Sequence, residues 1–270
     1  MTFLVAALIL TNLIQSAEAN VSKRFLNSDP SVSLSRFLDY PGGASHDNFK
    51  PNPKFWGRGI DFSCASPWNS GGGRLRAGTL ISKRHIVFAK HFPLWSGVRI
   101  LFVDDEGQVC PLRIESTKGI DKTDIMVGLL NYEVTPNIRP AKILPPDADK
   151  YIGMGTGMPV LTLTQWEKLS ISEISYIPTN GSRNCTIYSR APADKSREVF
   201  AEGLIIGDSG NPAFILINGE PVLLYCLYGG GRGSGSALHL YSREIQKAMD
   251  ELCLGYVLEV FDFSQVKNEK

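Results

Sequence analysis

In Gly78-Thr-Leu-Ile-Ser-Lys-Arg-His-Ile-Val-Phe-Ala-Lys-His91, two short apolar runs flank a basic turn, and a histidine ends the second run. Neither run is long enough, or periodic enough, to be a helix. β-Branched and aromatic residues fill the second, so the segment reads as strand, turn, strand. Runs of the same kind lie on both sides of it: Gly59 to Cys64, Leu75 to Ile81, Val98 to Val103, Val109 to Ile114, Ile125 to Leu130 and Pro159 to Leu163. Leu169 to Ile177, Pro212 to Ile217 and Pro221 to Tyr228 continue the series. Gly, Asn, Asp and Pro bound these runs, which predicts an all-β sandwich or barrel. One segment differs. Ser242 to Leu252 carries Ile245, Met249 and Leu252 at helical spacing, with Ser242 as the expected N-cap. Leu254 to Phe263 alternates again and is read as an edge strand before a polar tail.

The 270 residues suit one large all-β domain or two small ones. Lys plus Arg number 28 against 27 for Asp plus Glu, so no charge excess points to nucleic acid or to a solvating tail. The apolar run that ends near Ile14 precedes Ala17-Glu18-Ala19, the pattern of a signal peptide cleaved after Ala19. A secreted or periplasmic protein is therefore expected, with no membrane contact once residues 1–19 are removed. Residues 20–55 are rich in Ser, Asn, Asp, Pro and Gly, and read as a linker or a loosely packed N-terminal arm. Cys64, Cys110, Cys185, Cys226 and Cys253 have no metal-type spacing. Outside the cytosol they allow one or two disulfides, and they equally fit small buried core residues. Asn20, Asn180 and Asn184 lie in glycosylation sequons.

Three segments carry chemistry. Gly207-Asp208-Ser209-Gly210-Asn211-Pro212 sets a serine between glycines, where a tight turn lets backbone N–H groups converge on an oxyanion. The donors would be the amides of Gly207 and Ser209; alone, the same letters equally fit a polar turn. His91 ends a strand, where a neutral imidazole can take a proton from a serine on a neighbouring loop. Asp124 stands immediately before the apolar run Ile125 to Leu130, where its carboxylate can orient the histidine or, more blandly, bond its own backbone.

Together, in the order His, Asp, Ser, these segments resemble the trypsin and chymotrypsin family. Its A-A-H-C, D-I-A-L and G-D-S-G-G-P motifs stand here as A-K-H-F, D-I-M-V and G-D-S-G-N-P. The resemblance covers residues 56–253, and residues 254–270 would be a C-terminal extension. It implies two six-stranded antiparallel β-barrels with a C-terminal α-helix and a site in the cleft between them. It implies a serine endopeptidase with Ser209 as nucleophile, His91 as general base and Asp124 as orienting carboxylate. Protein or peptide substrates would be its partners, it would need no cofactor or metal, and it would act as a monomer. Tyr228-Gly229-Gly230 resembles the family's S-W-G edge, so Tyr228 and Gly229 would pair with extended substrate. Gly203 falls where an acidic residue would select Lys or Arg, which implies an uncharged residue before the scissile bond.

The chain also departs from that pattern. Phe92 replaces a cysteine, Asn211 replaces a glycine, and Phe88 and Leu227 stand where hydroxyl residues help bind the aspartate. No Ile-Val-Gly-Gly-like sequence precedes Trp56, so Asp208 is expected to find a partner other than a freed N-terminus, or the loop to be ordered without cleavage. His239 either lines the specificity pocket or is a sheet histidine; His46 and His85 are read as non-catalytic. A binding module that no longer cuts is the main rival. An esterase with a G-D-S block fits worse, because the block is late and no D-x-x-H follows; Asn211 excludes a G-x-S-x-G elbow.

Overall fold

The computed structural model describes residues 29, 34–38, 49–67, 77–153 and 155–265. The segment expected to be a signal peptide (residues 1–19), Asn20, His46, most of the arm and residues 266–270 lie outside them. The described residues form two β-sheets that share a core.

Strands β1 (Thr79–Leu80), β2 (His85–Ala89), β3 (Arg99–Val103), β4 (Val109–Gly119) and β5 (Ile125–Leu130) make a five-stranded antiparallel sheet in the order β1-β2-β5-β4-β3. Strand β4 shows why it forms: Cys110, Leu112 and Ile114 are buried while Pro111, Arg113 and Glu115 are exposed, the two-residue alternation of a half-buried strand. Strand β2 is buried along its whole length, which is why its letters read as a continuous apolar run.

The second sheet has seven strands in the order β12-β9-β8-β7-β10-β11-β6. They are β6 (Lys142–Ile143), β7 (Pro159–Leu163), β8 (Leu169–Tyr176), β9 (Thr186–Arg190), β10 (Pro212–Ile217), β11 (Glu220–Cys226) and β12 (Ser234–Ser236). All pair antiparallel except β6 with β11. The β10–β11 hairpin turns on Asn218 and Gly219 at φ 53° and 80°, the left-handed pair that a two-residue hairpin needs. The core runs between the sheets: Phe88 and Ile86 of the first belong to one buried cluster with Leu161, Phe214 and Leu223 of the second. Phe62 packs against Phe214 with ring centroids 5.7 Å apart.

Several expectations need correction. Gly59 to Cys64 forms turns, and only Ala65 makes a bridge, to Thr79. The C-terminal helix spans Ser242–Leu252 as predicted and buries Ile245, Ala248 and Met249. Ser242 is not its cap, because a 3-10 turn at Leu238–Tyr241 runs directly into the helix and Ser242 is already helical. It is also not the single helix: Asp149–Ile152 (α1) and Lys195–Glu198 (α2) precede it, making Ser242–Leu252 α3. Leu254 to Phe263 makes one bridge, Val260 with Ile143, and is not a strand. The five cysteines are all free. Cys64 and Cys226 are buried thiols whose pKa burial pushes up to about 12, so packing and not a disulfide holds these places.

The arm is not loose where it is described. Phe37, Phe49, Arg36 and Phe55 are buried. Ser35 bridges Lys168 and Phe37 bridges Pro51, so these residues extend the fold.

Candidate active site

The register of the first sheet brings His91 and Asp124 together. Strands β2 and β5 are neighbours with Ala89 opposite Ile125, so the residues just past one strand meet those just before the other. The Lys90 amide donates to the Asp124 carbonyl at 2.9 Å. The His91 amide donates to Asp124 Oδ1 at 2.7 Å, and ring nitrogen Nδ1 lies 2.7 Å from Oδ2. A carboxylate only accepts, so Nδ1 carries the proton and Nε2 is left as the acceptor. Nε2 stands 3.0 Å from Ser209 Oγ, which arrives from the second sheet three residues before β10. The three side chains named from the sequence therefore form one hydrogen-bonded relay between the sheets. It opens to solvent, with the His91 side chain 45% exposed and Asp124 21%.

Gly207 and Gly210 around the serine have φ 106° and 90°, a region that side chains other than glycine avoid. At Gly210 a Cβ would also stand 3.1 Å from the Ala77 carbonyl. The Gly210 amide donates to Leu227 O, and the Leu227 amide donates to Asn211 O, which ties the loop to the end of β11. The Ser209 amide donates to no group among the described residues.

Asp208 has partners within the chain. Buried beneath the loop, it accepts from the Gln165 amide through Oδ1 and from the Ile205 amide through Oδ2, each at 2.8 Å. Burial raises its pKa, and the two amide bonds act in the opposite direction. The Asn211 side-chain amide lies 3.4 Å from the same Oδ1, so the residue that departs from the family motif supports the loop. Gln165 sits in the turn Thr164–Lys168, and the arm packs on that turn. Arg36 N donates to Glu167 O at 2.8 Å, and Leu169 N donates to Leu34 O at 2.9 Å. The buried Arg36 guanidinium lies 3.9 Å from the Glu167 carboxylate and donates to Val103 O at 2.7 Å, so it spans both sheets.

The absent hydroxyls have a consequence at Asp124. Phe88 and Leu227 are buried in apolar clusters, and both bonds accepted by the Asp124 carboxylate come from His91. Ser236 is the nearby hydroxyl, with its Oγ 3.4 Å from the Asp124 amide. No sequence motif marks Ser236, Gln165 or Arg36, whose places depend on pairings between distant segments.

The residues read as substrate-binding lie on linked loops. Tyr228 and Gly229 follow β11 and both amides point to Ser234 O, at 3.0 and 3.4 Å. They form one bridge and not a continuous strand. Tyr228 Oη is 2.7 Å from Thr186 Oγ1. Gly203 is exposed, and its neighbour Leu204 donates to Gly231 O at 3.1 Å, joining the two loops. His239 is not a sheet histidine: it is buried in the 3-10 turn Leu238–Tyr241, its Nε2 donates to the Pro178 carbonyl at 3.2 Å, and burial lowers its pKa. Neither a family model nor a curated protein sequence matches the chain.

Proposed function

We propose that the chain is a serine endopeptidase of the trypsin and chymotrypsin type. The observation that carries this reading is the His91 ring, 2.7 Å from the Asp124 carboxylate on one nitrogen and 3.0 Å from Ser209 Oγ on the other. In this reading the five- and seven-stranded sheets are the two barrels, divided unequally, and the site lies in their cleft.

Ser209 Oγ attacks the carbonyl carbon of the scissile bond as its proton passes to His91 Nε2. Asp124 stabilises the imidazolium that results and keeps Nδ1 protonated throughout. The amides of Ser209 and Gly207 receive the oxyanion. Collapse of the intermediate breaks the C–N bond, and His91 returns the proton to the departing amine. Water, deprotonated by the same nitrogen, then hydrolyses the acyl-serine. Export, with cleavage after Ala19, belongs to the same proposal and is read directly from the N-terminal sequence of the mature protein.

A second reading has one observation behind it. An Asp124 carboxylate that is 21% exposed and, among the described residues, bonded only by His91 fits a weak or inactive protein that binds a partner through the same face. A fluorophosphonate probe and a peptide library decide between them. The peptidase labels with the probe, loses labelling in Ser209→Ala, and cleaves peptides. Folded protein that neither labels nor cleaves is the binding module, and labelling without peptide cleavage points to an esterase.

A further inference from the structure

A cavity of about 500 Å3 opens beside the relay. Asp124 and Tyr228 are among its lining residues, and Lys90, Lys122 and Arg183 bring three cations to its walls. None of the three forms an ion pair among the described residues, although many surface Lys and Arg here do, such as Lys118 with Glu251 and Lys168 with Glu202. The one carboxylate in the lining, Asp124, has both oxygens bonded to His91. Glu244 acts on Tyr241 at the edge and Asp121 adjoins Lys122, both outside the lining, so the lining itself carries three cations against one carboxylate. The Tyr228 ring supplies an apolar surface whose hydroxyl is already held by Thr186.

We infer that this cavity receives an acidic side chain of the bound peptide, with Lys122 and Arg183 as specificity-determining residues. This rests on the peptidase reading above. A substrate acylating Ser209 and lying along Tyr228 and Gly229 passes the cavity, which Tyr228 also lines, and a carboxylate there meets cations that form no ion pair among the described residues. All three cations are exposed, so the preference is moderate, acts largely on encounter, and is screened by salt.

The test is the ratio of kcat/KM for peptides that differ only by Glu against Gln, placed in turn at each position on either side of the cleaved bond. The ratio is independent of how much enzyme is correctly folded. At low salt one position gives a ratio of about tenfold, which falls toward one in 0.5 M salt. In Lys122→Glu/Arg183→Glu the preference inverts; Arg183→Gln alone gives an intermediate ratio if the double variant does not fold. A ratio near one at every position in the unaltered protein overturns the inference and leaves the peptidase reading standing. So does a Glu preference that salt and the variants leave unchanged. Folded protein that takes no fluorophosphonate label and cleaves no peptide removes both.

Discussion

At the scale of single residues, the relay depends on which ring nitrogen of His91 carries the proton. The carboxylate at 2.7 Å decides it, since Asp124 accepts from Nδ1 and leaves Nε2 facing Ser209. In Asp124→Asn the side chain keeps its shape, and its oxygen can still accept from the His91 amide. Its NH2 then faces Nδ1, which must accept, and Nε2 becomes the donor. The serine loses its base. The rate of fluorophosphonate labelling is expected to fall by about 10³–10⁴-fold with the folded structure intact; a loss below tenfold would mean that the relay is not how Ser209 reacts. Asp124, His91 and Ser209 were legible from the letters because each ends or precedes an apolar run beside a turn. Their meeting was legible only through the family resemblance, because it rests on the register of β2 against β5. The support of Asp208 by Gln165 and Ile205 was illegible for another reason: both donors are backbone amides, which every residue but proline carries.

At the scale of elements, strands built on continuous or alternating apolar runs between turns were readable, whereas β6, β9 and β12 were not. Strands β6 and β12 have two and three residues, and Ser234-Gly-Ser236 has no apolar face, so their pairing is imposed by β11 and β9. The described part of the arm packs although the composition of residues 20–55 is polar: Arg36 is buried and bonded to both sheets. Through Glu167 and the turn Thr164–Lys168 it braces Gln165, and Gln165 holds Asp208. Arg36→Met keeps the volume and removes the bonds, leaving Glu167 without its buried cation. A loss of about 2–3 kcal/mol of stability is expected by denaturant titration. Labelling of Ser209 should slow in protein that is still fully folded, and a chain beginning at Leu34 should label faster than one beginning after Leu38. The β1–β2 turn adds a pH dependence. Ser82 Oγ lies 2.9 Å from His85 Nδ1, and burial, the largest cause, lowers the His85 pKa to about 4. The unfolded chain binds this proton near pH 6.5 and the folded one only near 4, so the contribution to stability is complete above the higher value and declines as pH falls between them. Between pH 7 and 4.5, His85→Leu should lose about 2 kcal/mol less stability than the unaltered protein.

At the scale of the whole molecule, the question is what packs two sheets together with all five cysteines free. The shared apolar cluster and the Arg36 bonds are among the ties between them, and Cys226 shows how the interface is sealed. Its thiol sits between the sheets with Sγ 3.6 Å from Val87 O, and burial pushes its pKa up to about 12. Cys64 is likewise raised to about 12, again by burial first. The thiolate is the reactive form, so both buried thiols are expected to stay protonated at pH 8. Cys110 is buried as well, whereas Cys185 and Cys253 are half-buried. A thiol reagent at pH 8 is therefore expected to modify Cys185 and Cys253 in the native protein and all five cysteines after denaturation without reductant. Titration of fewer than five in denaturant would show a disulfide and would move part of the burden of joining the sheets from packing to a covalent bond. Protection of Cys64 and Cys226 that is lost in one step with the Ser209 labelling, as denaturant rises, would show that the interface and the relay unfold together, as a site assembled from both sheets requires.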